Sequence, residues 1–199
     1  IYKKWPEGKY ERKLIEKIWK LLLYTNDINL SQKLIKYIDN NNMTLSKSVL
    51  NVYQNFNYKE REILSNKFFN KWSNNSIVLD SWFSFRAAIE IDNYIENLEN
   101  LFHHKCFDVK SPNTLRSILN SFVSNNRFFH DIDGKGYNYI ANKVVEFDKI
   151  NPIIISRFIK LFSRWDQYTE PYKTNMLYAI KFIDSHDLST NSREVIDLI

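Results

Sequence analysis

The 199-residue chain carries few side chains whose types and spacing could do chemistry. They are four histidines, one cysteine, one aspartate-rich turn and two arginines near helix starts. A helical zinc-peptidase site needs two His one turn apart around a Glu, and none of His103, His104, His130 or His186 sits in such a pattern. His103 and His104 are adjacent, so on a helix they face different sides and read as surface or boundary residues. Asp131-Ile132-Asp133-Gly134 resembles the start of a calcium loop. That loop requires Gly at its sixth position and Glu at its twelfth. Counted from Asp131, Gly comes fourth and Asn142 twelfth. The expectation is a Gly-bearing turn whose Asp side chains hold backbone amides. Cys106, between Lys105 and Phe107, reads as a packing residue. With three Gly there is no phosphate-cradling loop, and no Ser or Cys nucleophile motif occurs. No catalytic residue and no metal ligand is assigned within the chain.

Arg116 and Arg157 are the two candidates that remain. Arg116 follows the helix start Ser111-Pro112-Asn113, and Arg157 follows Asn151-Pro152. Both therefore lie early in their helices. Helix starts in an array of hairpins tend to lie on related edges. Arg carries a fixed fork of donors that matches a carboxylate. Spacing alone leaves surface salt bridges as the plainer reading.

The elements that position these residues read as helices almost throughout. Leu14, Ile15, Ile18, Trp19, Leu22 and Leu23 form one stripe at helical spacing in the first helix, which starts near Tyr10. Leu30–Ile38, Leu45–Phe56 and Ile63–Trp72 follow, punctuated by Asn40-Asn41-Asn42 and Ser73-Asn74-Asn75. Val78–Ile89 is apolar on most sides, which predicts burial on several faces. Tyr94–Phe102, the helix opened by Ser111, Tyr137–Ile150, Asn151 to about Tyr168, the helix opened by Glu170-Pro171, and Ser189–Ile199 complete the series. The expected fold is all-α, a single domain over 1–199. It would be a superhelical array of antiparallel helix pairs, HEAT- or armadillo-like, with about ten or eleven helices.

Composition excludes several classes. Hydrophobic residues make up 44% and charged residues 26%, a globular balance. One cysteine leaves no internal disulfide framework. No run of 18 apolar residues occurs, so no membrane helix is expected. The net charge is +5, but the first twenty residues hold seven basic and three acidic groups, or +4 of it. The remainder is nearly neutral with mixed signs, which argues against a nucleic-acid partner. The start, Ile1-Tyr2-Lys3-Lys4-Trp5-Pro6, has no signal-peptide core and no initiator Met. We expect a segment of something longer, with a cytoplasmic location.

Four motifs occur in order. They are Val78-Leu79-Asp80-Ser81-Trp82-Phe83, Ser111-Pro112-Asn113-Thr114-Leu115-Arg116-Ser117, Asp133-Gly134-Lys135-Gly136-Tyr137, and Asn151-Pro152 through Ser156-Arg157. Together they resemble the C-terminal helical domain of the aminopeptidase N family of zinc metallopeptidases. Ser111 stands where the family has Asn, and Ser caps a helix equally well. The resemblance runs from about Leu64 to the C-terminus, roughly two thirds of the chain. It implies a domain that packs against a catalytic domain of the same chain and roofs its active-site cavity. It also implies that the zinc site lies outside this segment, that the segment alone binds no cofactor and is inactive, and that the substrate is a peptide. The positions of Arg116 and Arg157 would face the cavity and steer or hold the peptide's carboxylate or backbone carbonyls.

Two other functions fit the residues. A free-standing helical-repeat scaffold would bind a partner protein in its groove. A nucleic-acid-binding array would show steeply salt-dependent binding, against which the neutral charge after residue 20 weighs.

Overall fold

In the computed structural model the described residues are 6–25, 28–56 and 58–199. Every regular element among them is helical. Eleven helices of seven residues or more and one short turn of helix are present, in agreement with the all-α helical-repeat expectation. The chain divides into two compact units, residues 1–92 and 93–199.

The first unit holds α1 (Lys9–Leu23), α2 (Ile28–Tyr37), α3 (Met43–Val52), α4 (Tyr58–Trp72) and α5 (Ser76–Ala87). Each packs on its sequence neighbour through α2–α3, α3–α4 and α4–α5, and α1 packs on both α2 and α3. Asparagines do the punctuation. Asn42 Oδ1 accepts from Leu45 N–H at 3.1 Å, and Asn75 Oδ1 accepts from Ile77 and Val78 N–H at 3.1 and 3.3 Å. These bonds satisfy amides that have no partner inside the helix. In α5, Val78, Trp82, Phe83, Phe85 and Ala87 are all buried, as its all-round apolar pattern predicts. Trp82 Nε1 donates to the buried Ser65 Oγ at 3.0 Å, so the indole enters the core without an orphaned donor.

Two expectations in this unit are corrected. The first helix does not bury one continuous stripe: Ile15, Trp19 and Leu23 are buried while Leu14 is exposed. The period identifies the helix, but which flank meets a neighbour depends on where α2 and α3 return. The third helix stops at Val52, not Phe56. Tyr53 still reaches the core from the following turn, where its hydroxyl meets Ser31 Oγ at 2.8 Å.

The second unit holds α6 (Tyr94–Phe102), α7 (Pro112–Val123), α8 (Asn126–Phe129), α9 (Lys135–Phe147), α10 (Pro152–Ile159), α11 (Tyr172–Asp184) and α12 (Thr190–Ile196). Helix α9 packs on α8, α10 and α11, and α12 closes on α10 and α11. The core of α9 is Tyr137, Ile140, Ala141, Val144 and Phe147. The ring of Tyr94 stacks on Phe128 at 4.1 Å and on Phe122 at 5.8 Å, which ties α6 to α7 and α8. The α-helix begun at Pro152 ends at Ile159, short of Tyr168. Two 3₁₀ turns follow, Lys160–Phe162 and Trp165–Gln167. Phe162 is the last buried residue of the periodic run, and nothing in Trp165–Gln167 is buried. Without an apolar face to dock, the α-helical path is not sustained.

The turn before α9 is built as its sequence predicts. Asp131 Oδ1 accepts from Asp133 N–H at 2.9 Å, and Gly134 takes the left-handed conformation at φ +74°. Gly136 matters for a different reason. A Cβ there would lie 2.2 Å from Phe128 O and 2.3 Å from Phe129 O, so only glycine lets α9 start against the end of α8.

Candidate functional site

Helix α7 starts with Ser111 as its cap. Its Oγ accepts from Thr114 N–H at 3.4 Å, and Pro112 occupies the first turn, where its missing N–H costs nothing. One turn further, Arg116 is exposed, and its Nη2 donates to Asn113 Oδ1 at 2.9 Å. That bond holds the guanidinium near the helix start through a neutral amide, leaving the charge unneutralised.

Helix α10 starts at Asn151-Pro152 in the same way, with one difference. The buried Asn151 side chain does not cap its own helix. Its Nδ2 donates instead to Val109 O, two residues before the Ser111 cap of α7. One amide thus joins the two helix starts. Arg157 is exposed in the last turn of α10, not early in its helix as the spacing suggested, because the α-helix ends at Ile159; among the described residues no hydrogen bond or ion pair holds it. Ser156, beside it, is buried and donates to Ile153 O at 3.2 Å. The salt bridges that spacing alone suggested for the two arginines are not formed among the described residues.

The histidines are dispersed. His103 Nδ1 lies 2.8 Å from Glu99 O, and His104 Nδ1 accepts from Cys106 N–H at 3.2 Å. His130 meets the Tyr137 hydroxyl at 2.7 Å and stacks on the Tyr168 ring at 5.5 Å. Burial lowers the pKa of His130. It raises that of Tyr137, helped by the nearby Tyr168 and Tyr172. Among the described residues no group of three or more His, Cys, Asp or Glu is placed to hold a metal ion.

Sequence reasoning missed two buried polar clusters. In the first, Lys143 on α9 lies under the ring of Phe102 at 4.6 Å and donates to Glu99 at 3.0 Å and to Glu146 at 2.8 Å. The Tyr139 hydroxyl donates to the same Glu99 at 2.7 Å. Burial, and then the Glu99 carboxylate, push the Tyr139 hydroxyl far above the usual phenol range. In the second, the buried Asp148 receives three donors from the start of α12. One signal for the first was available: Lys143 stands among Ile140, Val144 and Phe147 on an apolar stripe, where a charge requires partners.

This architecture defines a helical-repeat module with two exposed guanidinium groups, Arg116 one turn into α7 and Arg157 in the last turn of α10. Residues 2–199 match the family described as Domain of unknown function (DUF3458_C) ARM repeats. The chain belongs to that family, the C-terminal helical domain of aminopeptidase N-like proteins. It is 32% identical over 162 residues to the Aminopeptidase N of Haemophilus influenzae, covering 80% of this chain and 18% of that protein. With the Aminopeptidase N of Escherichia coli K12 it is 30% identical over 142 residues, 71% of this chain and 16% of that one. Its fold superposes with a TM-score of 0.83 on Legionella pneumophila aminopeptidase A, whose crystal structure is a complex with aspartic acid. That match has 27% identity and covers 94% of this chain and 22% of the other. The chain thus spans less than a quarter of the length of each of these relatives.

Proposed function

We propose that this chain is the C-terminal part of a longer zinc-dependent aminopeptidase that removes N-terminal amino acids from peptides. In this reading it packs against the catalytic domain of the same polypeptide, roofs the active-site cavity and orients the substrate. Arg116 and Arg157 face that cavity, where they draw in and hold the carboxylate or backbone carbonyls of a short peptide. The observation that carries the reading is the pair of exposed guanidinium groups, neither neutralised by a carboxylate among the described residues, on two helices whose starts Asn151 joins. A surface that served stability alone would gain from pairing such charges with nearby acids.

The zinc, in such an enzyme, supplies a polarised carbonyl and an activated water. In this reading the zinc ligands, and with them hydrolysis, belong to the remainder of the polypeptide; among the described residues no cluster of three or more His, Cys, Asp or Glu is placed to hold a metal. The contribution of the segment is electrostatic and steric: a positive edge and a wall that excludes water. The test is the mass and activity of the native protein that carries this segment, captured by an antibody against the chain. A protein several times larger than 24.0 kDa with chelator-sensitive aminopeptidase activity supports the reading. A protein of about this mass, without activity, overturns it in favour of a free-standing scaffold.

A further inference from the structure

Helix α1 is apolar on two faces, and only one of them is used. Ile15, Trp19 and Leu23 are buried against the unit. A second stripe, Tyr10, Leu14 and Leu21, runs along the opposite flank at i, i+4 and i+11. These side chains are 85%, 56% and 68% exposed, and Tyr24 extends the stripe at 60%. At 100° per residue the second stripe lies well away from the first. Lys13 and Lys20 follow one border of the second stripe, and Lys17 lies within it between Tyr10 and Tyr24. With Asn51 and Val52 of α3 they line a groove, in which Glu16 is already engaged by the Ser48 hydroxyl.

We infer that this second face of α1 is an interface for another α-helix of the same polypeptide, one that precedes Ile1 and carries an apolar stripe bordered by acidic side chains. The inference rests on the proposed longer chain. Three observations select this occupant. Repeat arrays bury each unit's apolar face on its neighbour and end in a polar cap, whereas the outer face of α1 exposes four large apolar side chains around the long stem of Lys17. The relatives are several times longer than this chain, which leaves ample polypeptide to supply a preceding repeat. The lysine border complements acidic groups and repels a second copy of α1.

The experiment uses the longer protein carrying Leu14→Cys, with alkylation at that site followed by peptide mass spectrometry, native against unfolded in urea. Leu14 is outside the core of this unit, so the variant is checked for an unchanged thermal transition. Tyr10→Cys replaces it if the first does not accumulate. Native-state alkylation should be slower by about tenfold or more, as for a site that opens only by local unfolding. A benzophenone side chain at position 21 should cross-link to a segment N-terminal to Ile1 of the same polypeptide. Native alkylation as fast as in urea, a cross-link to a second copy, or protection that appears only with anionic phospholipid vesicles overturns the inference. Aminopeptidase activity is assayed on the same preparation. An active enzyme with a reactive thiol sinks this inference alone, and a protected thiol on an inactive protein sinks the proposed function alone.

Discussion

The carboxylate of Asp148 accepts the backbone N–H of Ser189 at 2.5 Å and its hydroxyl at 2.8 Å, although the two residues are 41 positions apart. A third bond comes from the buried Ser192 hydroxyl. Asp148 closes α9, and Ser189 and Ser192 begin α12, so one buried acid supplies both the cap and the negative charge that a helix start favours. Asp148→Ala leaves these donors without their acceptor. We expect it to cost about 2–3 kcal/mol, the scale of hydrogen bonds to a charged group, read as a lower urea midpoint with an unchanged slope.

The Glu99–Lys143–Tyr139 cluster gives an asymmetric prediction. The Glu99 and Glu146 side chains are partly open to solvent, whereas Lys143 is buried. Lys143→Met therefore lets both acids rehydrate and should cost about 1 kcal/mol or less. Glu99→Leu leaves the Lys143 ammonium with Glu146 alone and the Tyr139 hydroxyl without its acceptor, and should cost about 3 kcal/mol. Equal losses in urea titrations of the two variants would contradict this ordering.

His130 predicts a pH dependence. Its folded-state pKa lies below the ordinary 6.5 because burial disfavours the imidazolium. Folding therefore favours the neutral ring. The contribution is fully present above pH 6.5 and is lost as pH falls from there through the folded pKa. Stability should decline on acidification in that window, and His130→Asn should decline less over the same range. The ring resonances of His130 in a titration should shift at lower pH than a free histidine.

Arg116→Ala and Arg157→Ala remove exposed side chains, so the thermal transition should move little. In the longer enzyme each should lower kcat/KM for di- and tripeptides by about tenfold, the equivalent of one charge-assisted bond, mainly through KM. Unchanged specificity constants in both variants would remove the arginines from substrate handling.

Much of this could be read in the chain before its fold was known, for identifiable reasons. Asn42 and Asn75 lie in the two Asn-rich breaks read from the sequence, and each also caps the helix that follows, because capping is local chemistry. The turn at Asp131–Gly134 and the placement of Arg116 one turn into α7 are local too. What escaped is long-range. Leu14 has the period of a core residue but is left exposed in this unit, and Asp148 gains its role from residues 41 positions away. A periodic pattern fixes an axis and a face but does not say which later segment arrives there. The end of α10 at Ile159 has the same origin: helical spacing continues, but nothing is buried in Trp165–Gln167.

The tight start of α9 has a consequence at the level of genetics. Gly134 needs a left-handed backbone, and Gly136 abuts two carbonyl oxygens, so two of the chain's three glycines share one turn for unrelated reasons. No single codon change at position 136 yields a residue smaller than glycine. In a saturation library selected for folded protein, position 136 should therefore be a near-blank column, with position 134 tolerating only Asn or Asp at reduced frequency. Exposed positions such as Ile132 should accept nearly everything. Drift around this turn is channelled into its flanks while its two pivots stay fixed.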